Sequence, residues 1–375
     1  MRVSLMQENL SKALNHVIKA VSSRPNIPVL ANVLIETEKS RLKLSATNLE
    51  IGISTWIGAE VETEGKITVS AKLLFEFVNS LKAGKIELVM NDQKLAVSSV
   101  DNNAEFFVIP ADDFPTVPGV EGESLLEVNA STFADAVTRT AIAAATDESR
   151  PVLTGLLMKT EGKQLTMVGV DGFRLSKKVL KLSKTGEEPL TEIVPAKALA
   201  EVARLIGDVS GDDDILKVYL MASKNQMLFK MDDVELSTRL IEGKFPNYEE
   251  ILPSDQNLRV SINKKDFTDM LKVVNIFARN AVGNKARFAV NVADAKLTLS
   301  ATVADVGNNE SSVDIHDVSG DDFETGYNVR FLADMINTIK SDDLVFETLG
   351  PTKPGVFLDT KDKDFVHVVM PMLLK

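Results

Sequence analysis

Val69-Ser70-Ala71-Lys72-Leu73-Leu74-Phe75-Glu76-Phe77-Val78 is one of three versions of the same segment. A step of 125 positions leads to Val194-Pro195-Ala196-Lys197-Ala198-Leu199-Ala200-Glu201-Val202-Ala203, and a further 133 to Val329-Arg330-Phe331-Leu332-Ala333-Asp334-Met335-Ile336. One slot is always basic (Lys72, Lys197, Arg330) and the slot four residues on is always acidic (Glu76, Glu201, Asp334). The apolar slots agree: Leu74, Leu199, Leu332, then Phe77, Val202, Met335, then Leu81, Ile206, Ile339. This 3.6-residue periodicity predicts three equivalent helices. The basic slot lies two residues before a buried leucine, about 200° around the helix, so it points away from the packed face.

The surroundings repeat as well. Leu42–Thr47, Leu165–Val170 and Leu297–Thr302 read as equivalent strands. An earlier helix precedes each, marked by Leu10, Ala13, Leu14, Val17, Ile18 and Val21, by Phe133, Ala136, Val137 and Ala141, and by Phe267, Met270, Leu271 and Val274. Segments such as Lys85–Val89, Lys94–Val97 and Glu105–Ile109 alternate apolar and polar residues as strands do, with Asn91-Asp92 as a turn. A period above a hundred residues exceeds that of solenoid repeats and marks whole domains. Pro- and Gly-bearing tracts after Phe114 and Phe245 separate them. The fold class is therefore α+β, with three domains expected at 1–122, 123–256 and 257–375, each with two helices packed on antiparallel sheets.

Composition is that of a soluble globular protein: 44% hydrophobic, 26% charged, no cysteine. Disulfides and thiolate metal sites are excluded. No apolar run is long enough to span a bilayer, and Met1–Val21 lacks the apolar stretch of a secretory signal, so a cytoplasmic location with no membrane partner is expected. The net charge is −12, yet the six helical windows together carry +9, leaving −21 for the remainder. Salt screens charges more than about 8 Å apart, so a basic helical surface can coexist with an acidic body. Lysines on a solvated helix face would give the same count; the shared basic slot favours a functional surface.

Enzymatic readings find no support. His16, His316 and His367 lie on different elements without metal-ligand spacing. Gly169-Val170-Asp171-Gly172 lacks the Lys-Ser/Thr of a phosphate loop, and Asp212-Asp213-Asp214 reads as a solvated turn. No nucleophile, base and oxyanion donor assemble, so neither cofactor nor catalytic residue is assigned.

Four motifs, Arg24-Pro25-Asn26-Ile27-Pro28-Val29-Leu30, Val170-Asp171-Gly172-Phe173-Arg174-Leu175, Gly243-Lys244-Phe245-Pro246-Asn247-Tyr248 and Val368-Val369-Met370-Pro371-Met372, span the chain in order. Together they resemble the bacterial sliding clamp family, the β subunit of the DNA polymerase III holoenzyme. The resemblance implies the DNA-clamp fold in a head-to-tail homodimer, a closed ring that encircles duplex DNA without sequence specificity, as a processivity factor in DNA replication. Lys12, Lys19, Arg24, Lys72, Lys82, Arg139, Arg150, Lys197, Arg204, Lys264, Lys265, Lys272, Arg279 and Arg330 are then the candidate DNA-facing cations.

The same resemblance implies a groove for short linear peptides of replicative polymerase, clamp loader and repair proteins. Its lining would be Leu153, Val170, Gly172, Phe173, Arg174, Leu175, Pro246, Ile251, Asn328, Phe331, Val368, Val369, Met370, Pro371 and Met372. An apolar, methionine-bearing C-terminal segment suits several partners in turn; read without the resemblance, it is a terminal strand buried in the third domain. The ring interface is expected to pair the strand around Phe106 and Val108 with Ile276 and Phe277. Phe173 stands where the family often has His, and Glu250 where a basic residue often sits. The ending Leu373-Leu374-Lys375 and the third hairpin, Asn308-Asn309-Glu310, also depart from the pattern. The competing reading is a monomeric three-domain peptide-binding scaffold that never encircles DNA.

Overall fold

In the computed structural model the described residues are 1–22, 27–209, 211, 213–221, 225–253, 255–304 and 306–374. They form two compact units. One comprises Met1–Ala134, Leu182–Glu187 and Lys197–Leu240; the other comprises Asp135–Lys181, Glu188–Ala196 and Ile241–Lys375.

The six helices are α1 (Gln7–Val17), α2 (Ala71–Ser80), α3 (Ala130–Ala141), α4 (Ala196–Val209), α5 (Lys264–Ala278) and α6 (Val329–Ile336). Leu74, Leu199 and Leu332 are fully buried, and the basic slot is the exposed second residue of α2, α4 and α6. Each repeat also opens with a short strand, Arg2–Met6, Leu126–Asn129 or Leu258–Asn263, that runs straight into its first helix. Leu126-Glu127-Val128-Asn129 and Leu258-Arg259-Val260-Ser261-Ile262-Asn263 do alternate apolar and polar residues, but these strands are not among the segments assigned above.

One antiparallel sheet of fourteen strands lies in the first unit and one of twelve in the second. The repeated hairpin closes with the same register in each copy: Thr47 faces Gly52, Val170 faces Leu175, and Thr302 faces Asn308 with one extra residue in the turn. Two ladders carry these sheets across domain junctions. In the first unit Val234–Thr238 pairs with Thr55–Ile51, and in the second Phe365–Val369 pairs with Lys178–Arg174. Position for position the two ladders are the same.

The second unit's core is rich in rings. Phe288 packs against Phe346 at 4.9 Å and Tyr327 at 5.3 Å, and Phe346 against Phe357 at 5.1 Å. Such offset and edge-on pairs add about 0.5–1.5 kcal/mol each beyond area burial. Beside the junction ladder lies a charged cluster. Arg139 of α3, 1% exposed, binds Asp359 at 2.9 Å, Asp362 at 3.1 Å and Asp135 at 3.3 Å, with its guanidinium 4.7 Å from the Phe365 ring centre. Lys178 reaches Asp362 at 2.6 Å, and Lys340 reaches Asp135 at 2.8 Å.

His16 and His367 are buried in the two units. Loss of hydration pushes the imidazole of His16 down to about 4 and that of His367 to about 3. Unfolded imidazoles titrate near 6.5, so between roughly pH 3 and 6.5 the unfolded chain binds more protons. Stability is therefore full above pH 6.5 and is lost as the pH falls through that window. Urea midpoints should drop from pH 7 to 4.5, and the His16→Gln/His367→Gln variant should show a flatter slope; an unchanged slope would exonerate both residues.

Candidate functional site

The second unit carries a groove of about 440 Å³ at the junction of the Phe365–Val369 and Arg174–Lys178 ladder. Its walls are Val170, Gly172, Arg174, Leu175, Glu250, Ile251, Pro253, Leu349, Lys353, Pro354, Val368 and Met370. Four segments distant in sequence build it: the hairpin turn after Val170, the interdomain tract after Tyr248, the turn from Leu349 to Pro354, and the last strand with its extension.

Local chemistry fixes each wall. Asp171 accepts from the backbone N–H of Phe173 at 2.8 Å and of Arg174 at 2.9 Å, a turn that places Gly172 at φ 93°. That backbone conformation favours glycine. The turn leaves Phe173 61% exposed beside the groove. Arg174 is held by Asp171 at 3.0 Å and Asp334 at 2.7 Å, its guanidinium 4.3 Å from the Phe331 ring centre. Its charge thus stiffens a wall. Below lie Leu157, Val168, Val170, Leu175, Tyr248, Val356 and Val368, with Ile251, Leu252 and Phe245 packed on them. The Met370 N–H donates to the Phe173 carbonyl at 2.8 Å, which fastens the C-terminal segment to the turn.

Seven of the fifteen expected groove residues line the cavity: Val170, Gly172, Arg174, Leu175, Ile251, Val368 and Met370. The others stand elsewhere. Leu153 is buried, and Pro246 is exposed outside the cavity lining. Phe331 supports Arg174 from below, and Asn328 caps α6 by accepting from the Arg330 N–H. Pro371 lies outside the lining too. Val369 is a correction: strand alternation turns it from the groove into the aromatic core of the third domain. Met372 is another, for it bridges to Gly326 through two backbone bonds and turns its methyl toward Gly283. Sequence reasoning missed Pro253, Leu349, Lys353 and Pro354, and named Glu250 only as a departure. Loop residues brought in by a distant turn leave no periodic signal.

The candidate cations divide between the units. Lys12, Lys19, Lys72, Lys82 and Lys197 are exposed on the first; Arg150, Lys265, Lys272, Arg279 and Arg330 are exposed on the second. Several share acids with neighbours: Lys72 with Glu76, Lys82 with Asp101, and Lys265 and Lys272 with Asp269. Arg204 is half-buried between Glu201 and Asp208. Lys264 donates to the Ile339 carbonyl beyond the C-terminus of α6, as Gln7 donates to Val78 of α2; helix ends leave such carbonyls without partners. The guanidinium of Arg150 lies beside Gly172 at the groove. Arg24 and Asp212 lie outside the described residues.

Arg139 is corrected outright. It follows Ala136 by three residues, on the buried stripe of α3, and is enclosed by the acids described above. Phe106 is corrected as well: it is buried edge-on against Phe77 at 5.5 Å, while its neighbour Phe107 is 81% exposed. Val108 is half-buried and pairs with Val69; Ile276 is 53% exposed, and Phe277 packs partly on the third domain's core. Among the described residues no His, Asp and Glu cluster could hold a metal ion.

Comparisons with known proteins agree along the whole chain. Residues 1–118, 127–247 and 249–373 match the models for the N-terminal, central and C-terminal domains of the DNA polymerase III beta subunit. A beta sliding clamp of Synechococcus elongatus is 31% identical with both chains covered completely. The sliding clamp of Pseudomonas aeruginosa, solved with griselimycin bound, superposes at a TM-score of 0.92 with 28% identity over all of both chains. The Bacillus subtilis sliding clamp, at 20% identity and full coverage, gives a TM-score of 0.93 and shares the fold.

Removing the Arg139 side chain takes the cationic partner from buried Asp359, while Asp362 keeps Lys178 and Asp135 keeps Lys340. Arg139→Ala should cost about 3–5 kcal/mol of unfolding free energy, the range for breaking a buried pair. Any loss of DNA retention should disappear at temperatures where the variant is fully folded. A stable variant that releases DNA would instead make Arg139 a DNA contact.

Proposed function

The chain belongs to the DNA polymerase III beta subunit family, and we propose that it works as a ring-shaped sliding clamp, encircling duplex DNA and tethering replicative polymerase for processive synthesis. The carrying observation is the end-to-end match, in which all three domains align in order. Binding by enclosure needs no sequence readout. A net charge of −12 suits it, since tight phosphate contacts would stall a moving ring. The chain acts as a tether and not as a catalyst, and works in the cytoplasm.

Ring closure follows from the repeat. The two internal junctions pair Ile53 with Leu236 and Ser176 with His367. Hairpin register places Asn309, opposite Ala301, in the slot of Ile53 and Ser176, which stand opposite Ala46 and Gly169. Likewise Ala104, opposite Val97, takes the slot of Leu236 and His367, opposite Phe229 and Phe357. Both strand stretches have a ladder partner on one side only, and an edge of this kind seeks another strand. One protomer's 102–106 edge would join its partner's 307–311 edge, with Phe107, Ile276 and Phe277 nearby, and two such joints close the ring.

The groove is the docking site for short peptide segments of polymerase, clamp loader and repair proteins. Its apolar floor and fixed polar rim have the composition of a ligand cleft, and its volume lies in the usual range.

The chain has no native cysteine. Ala104→Cys with Asn309→Cys should therefore oxidise to a covalently closed dimer of twice 40.9 kDa. The closed dimer, once loaded, should stay on nicked circular DNA and slip from the same DNA after linearisation. Equal retention on both forms, or a monomer in light scattering, would refute the ring. Separately, Met370→Ala should weaken binding of a polymerase C-terminal peptide about tenfold, in line with loss of a buried methionine side chain, and leave dimerisation intact. Unchanged peptide affinity would move the docking site elsewhere.

A further inference from the structure

The groove of the second unit carries charge of two kinds. Arg174 and Asp171 are bonded to each other, and further to Asp334 and to the hairpin backbone, so both are occupied within the wall. Glu250 and Lys353, also part of the lining, are exposed, and among the described residues neither has an ion-pair partner. The Asn247 side chain donates to Glu250 Oε1 at 2.6 Å, which steadies the carboxylate at the rim. The Lys353 N–H donates to the Gly350 carbonyl at 3.0 Å, closing the tight turn that carries the ammonium. Arg150, beside Gly172 but outside the lining, is exposed and not paired with Glu250.

The two open charges stand at different places along the groove. The interdomain tract starts at the Thr191–Pro195 strand, where the Ile241 N–H donates to Ile193 at 2.9 Å. It ends at the Asp343–Thr348 strand, where Asn257 donates to Thr348 at 2.9 Å and to Leu349 at 3.0 Å. Between these ends, Tyr248 lies 6.0 Å from the Lys177 ammonium of the Arg174–Lys181 strand, and Glu250 follows it. Lys353 leads into the Gly355–Asp359 strand, two places further across the sheet. Two strand spacings are about 10 Å, the reach of about three extended residues. Val170, Leu175, Ile251 and Val368 give an apolar floor. The matching ladder of the first unit borders a notch of only about 80 Å³.

We propose that Glu250 and Lys353 set the register of the segment that lies in this groove. Beside its apolar anchors the partner carries a lysine or arginine that meets Glu250 and, about three residues away, an aspartate or glutamate that meets Lys353. This pairing presupposes that the groove takes peptides, and it names which ones. Complementary charges across an interface fix register and exclude wrong partners more than they add affinity. A segment with like charges at both places meets one repulsion, and one with the charges exchanged meets two. A neutral segment keeps the apolar contacts alone. The apolar floor thus holds many segments, and the rim sorts them.

Fluorescence anisotropy on the full-length protein tests this with a labelled polymerase C-terminal peptide, its flanking residues replaced one at a time by lysine and by glutamate. One position should bind about fivefold tighter as lysine than as glutamate, and a second, about three residues away, should show the reverse, the upper range for exposed pairs. Glu250→Gln, which keeps an acceptor for Asn247, should level the first preference, and Glu250→Lys should invert it. Lys353→Gln should level the second. Both preferences should fade at about 0.5 M salt, where exposed charges are screened. Met370→Ala should weaken every peptide of the scan alike. Equal affinities across the scan, or preferences that survive the Glu250 and Lys353 variants, would overturn the charge assignment and leave the groove standing as a peptide site. A scan untouched by Met370→Ala would remove the groove as the peptide site, and the charge assignment with it.

Discussion

Everything that distinguishes this chain from three tethered domains rests on a five-residue antiparallel ladder used at each domain junction. Backbone groups at a strand edge must find partners, and the nearest ones belong to the next domain. Since Ile51–Thr55 and Arg174–Lys178 meet their partners in identical register, the geometry of one joint is the geometry of the other. A flexible linker could not transmit it. The ladder also creates the grooves, because each strand end leaves a notch between the hairpin turn and the interdomain tract. Among the described residues each terminal domain keeps one strand stretch with a partner on one side only, and the proposed assembly would continue folding by the same hydrogen bonds.

Helices and hairpins were legible because their signal is local. Lys72, Lys197 and Arg330 could be aligned by eye, and the leucines two residues later are all buried. The departures arose where a residue's fate is set by something far away in sequence. Arg139 looks like its exposed counterparts until Asp359 and Asp362, more than two hundred residues on, arrive across the junction. Its position three after Ala136 was the one available clue. Phe106 and Phe107 are adjacent and alike, and only strand register decides that the first meets Phe77 while the second faces outward. Val369 and Met370 split in the same way. Half of the groove could be assigned because it sits in recognisable motifs; Leu349, Lys353 and Pro354 come from a turn whose sequence says only that it bends.

Charge organisation follows the same economy of means. Exposed ion pairs contribute between nothing and about 1 kcal/mol. Lys72 beside Glu76, and Lys265 and Lys272 around Asp269, therefore remain ready to exchange a carboxylate for a phosphate at little cost. Buried charges behave oppositely. The Arg139 guanidinium is ion-paired with three acids, although its buried Nε lacks a hydrogen-bond partner, and the cluster cannot rearrange without large penalty. Surface cations on this protein can make and break contacts with a polyanion, while the Arg139 cluster of the second unit keeps its arrangement.

The two notches show how one scaffold yields different chemistry without altering its backbone. Leucine at position 175 and an interdomain tract that carries Tyr248 and Ile251 into the floor make the second notch wide and apolar. Glycine at position 52 lets Val117 and Ser237 close over the first, and the remaining wall is mixed, with Glu50, Thr116, Gln226, Thr238 and Arg239 beside Leu49, Ile51, Pro115 and Pro118. Either notch would lose its character if the residues at these two sites were exchanged, for Gly52 has no room for a leucine and Leu175 has no linker valine to replace it. The selectivity of the protein for what it holds is thus written in side chains, on a framework that the ladder makes the same twice.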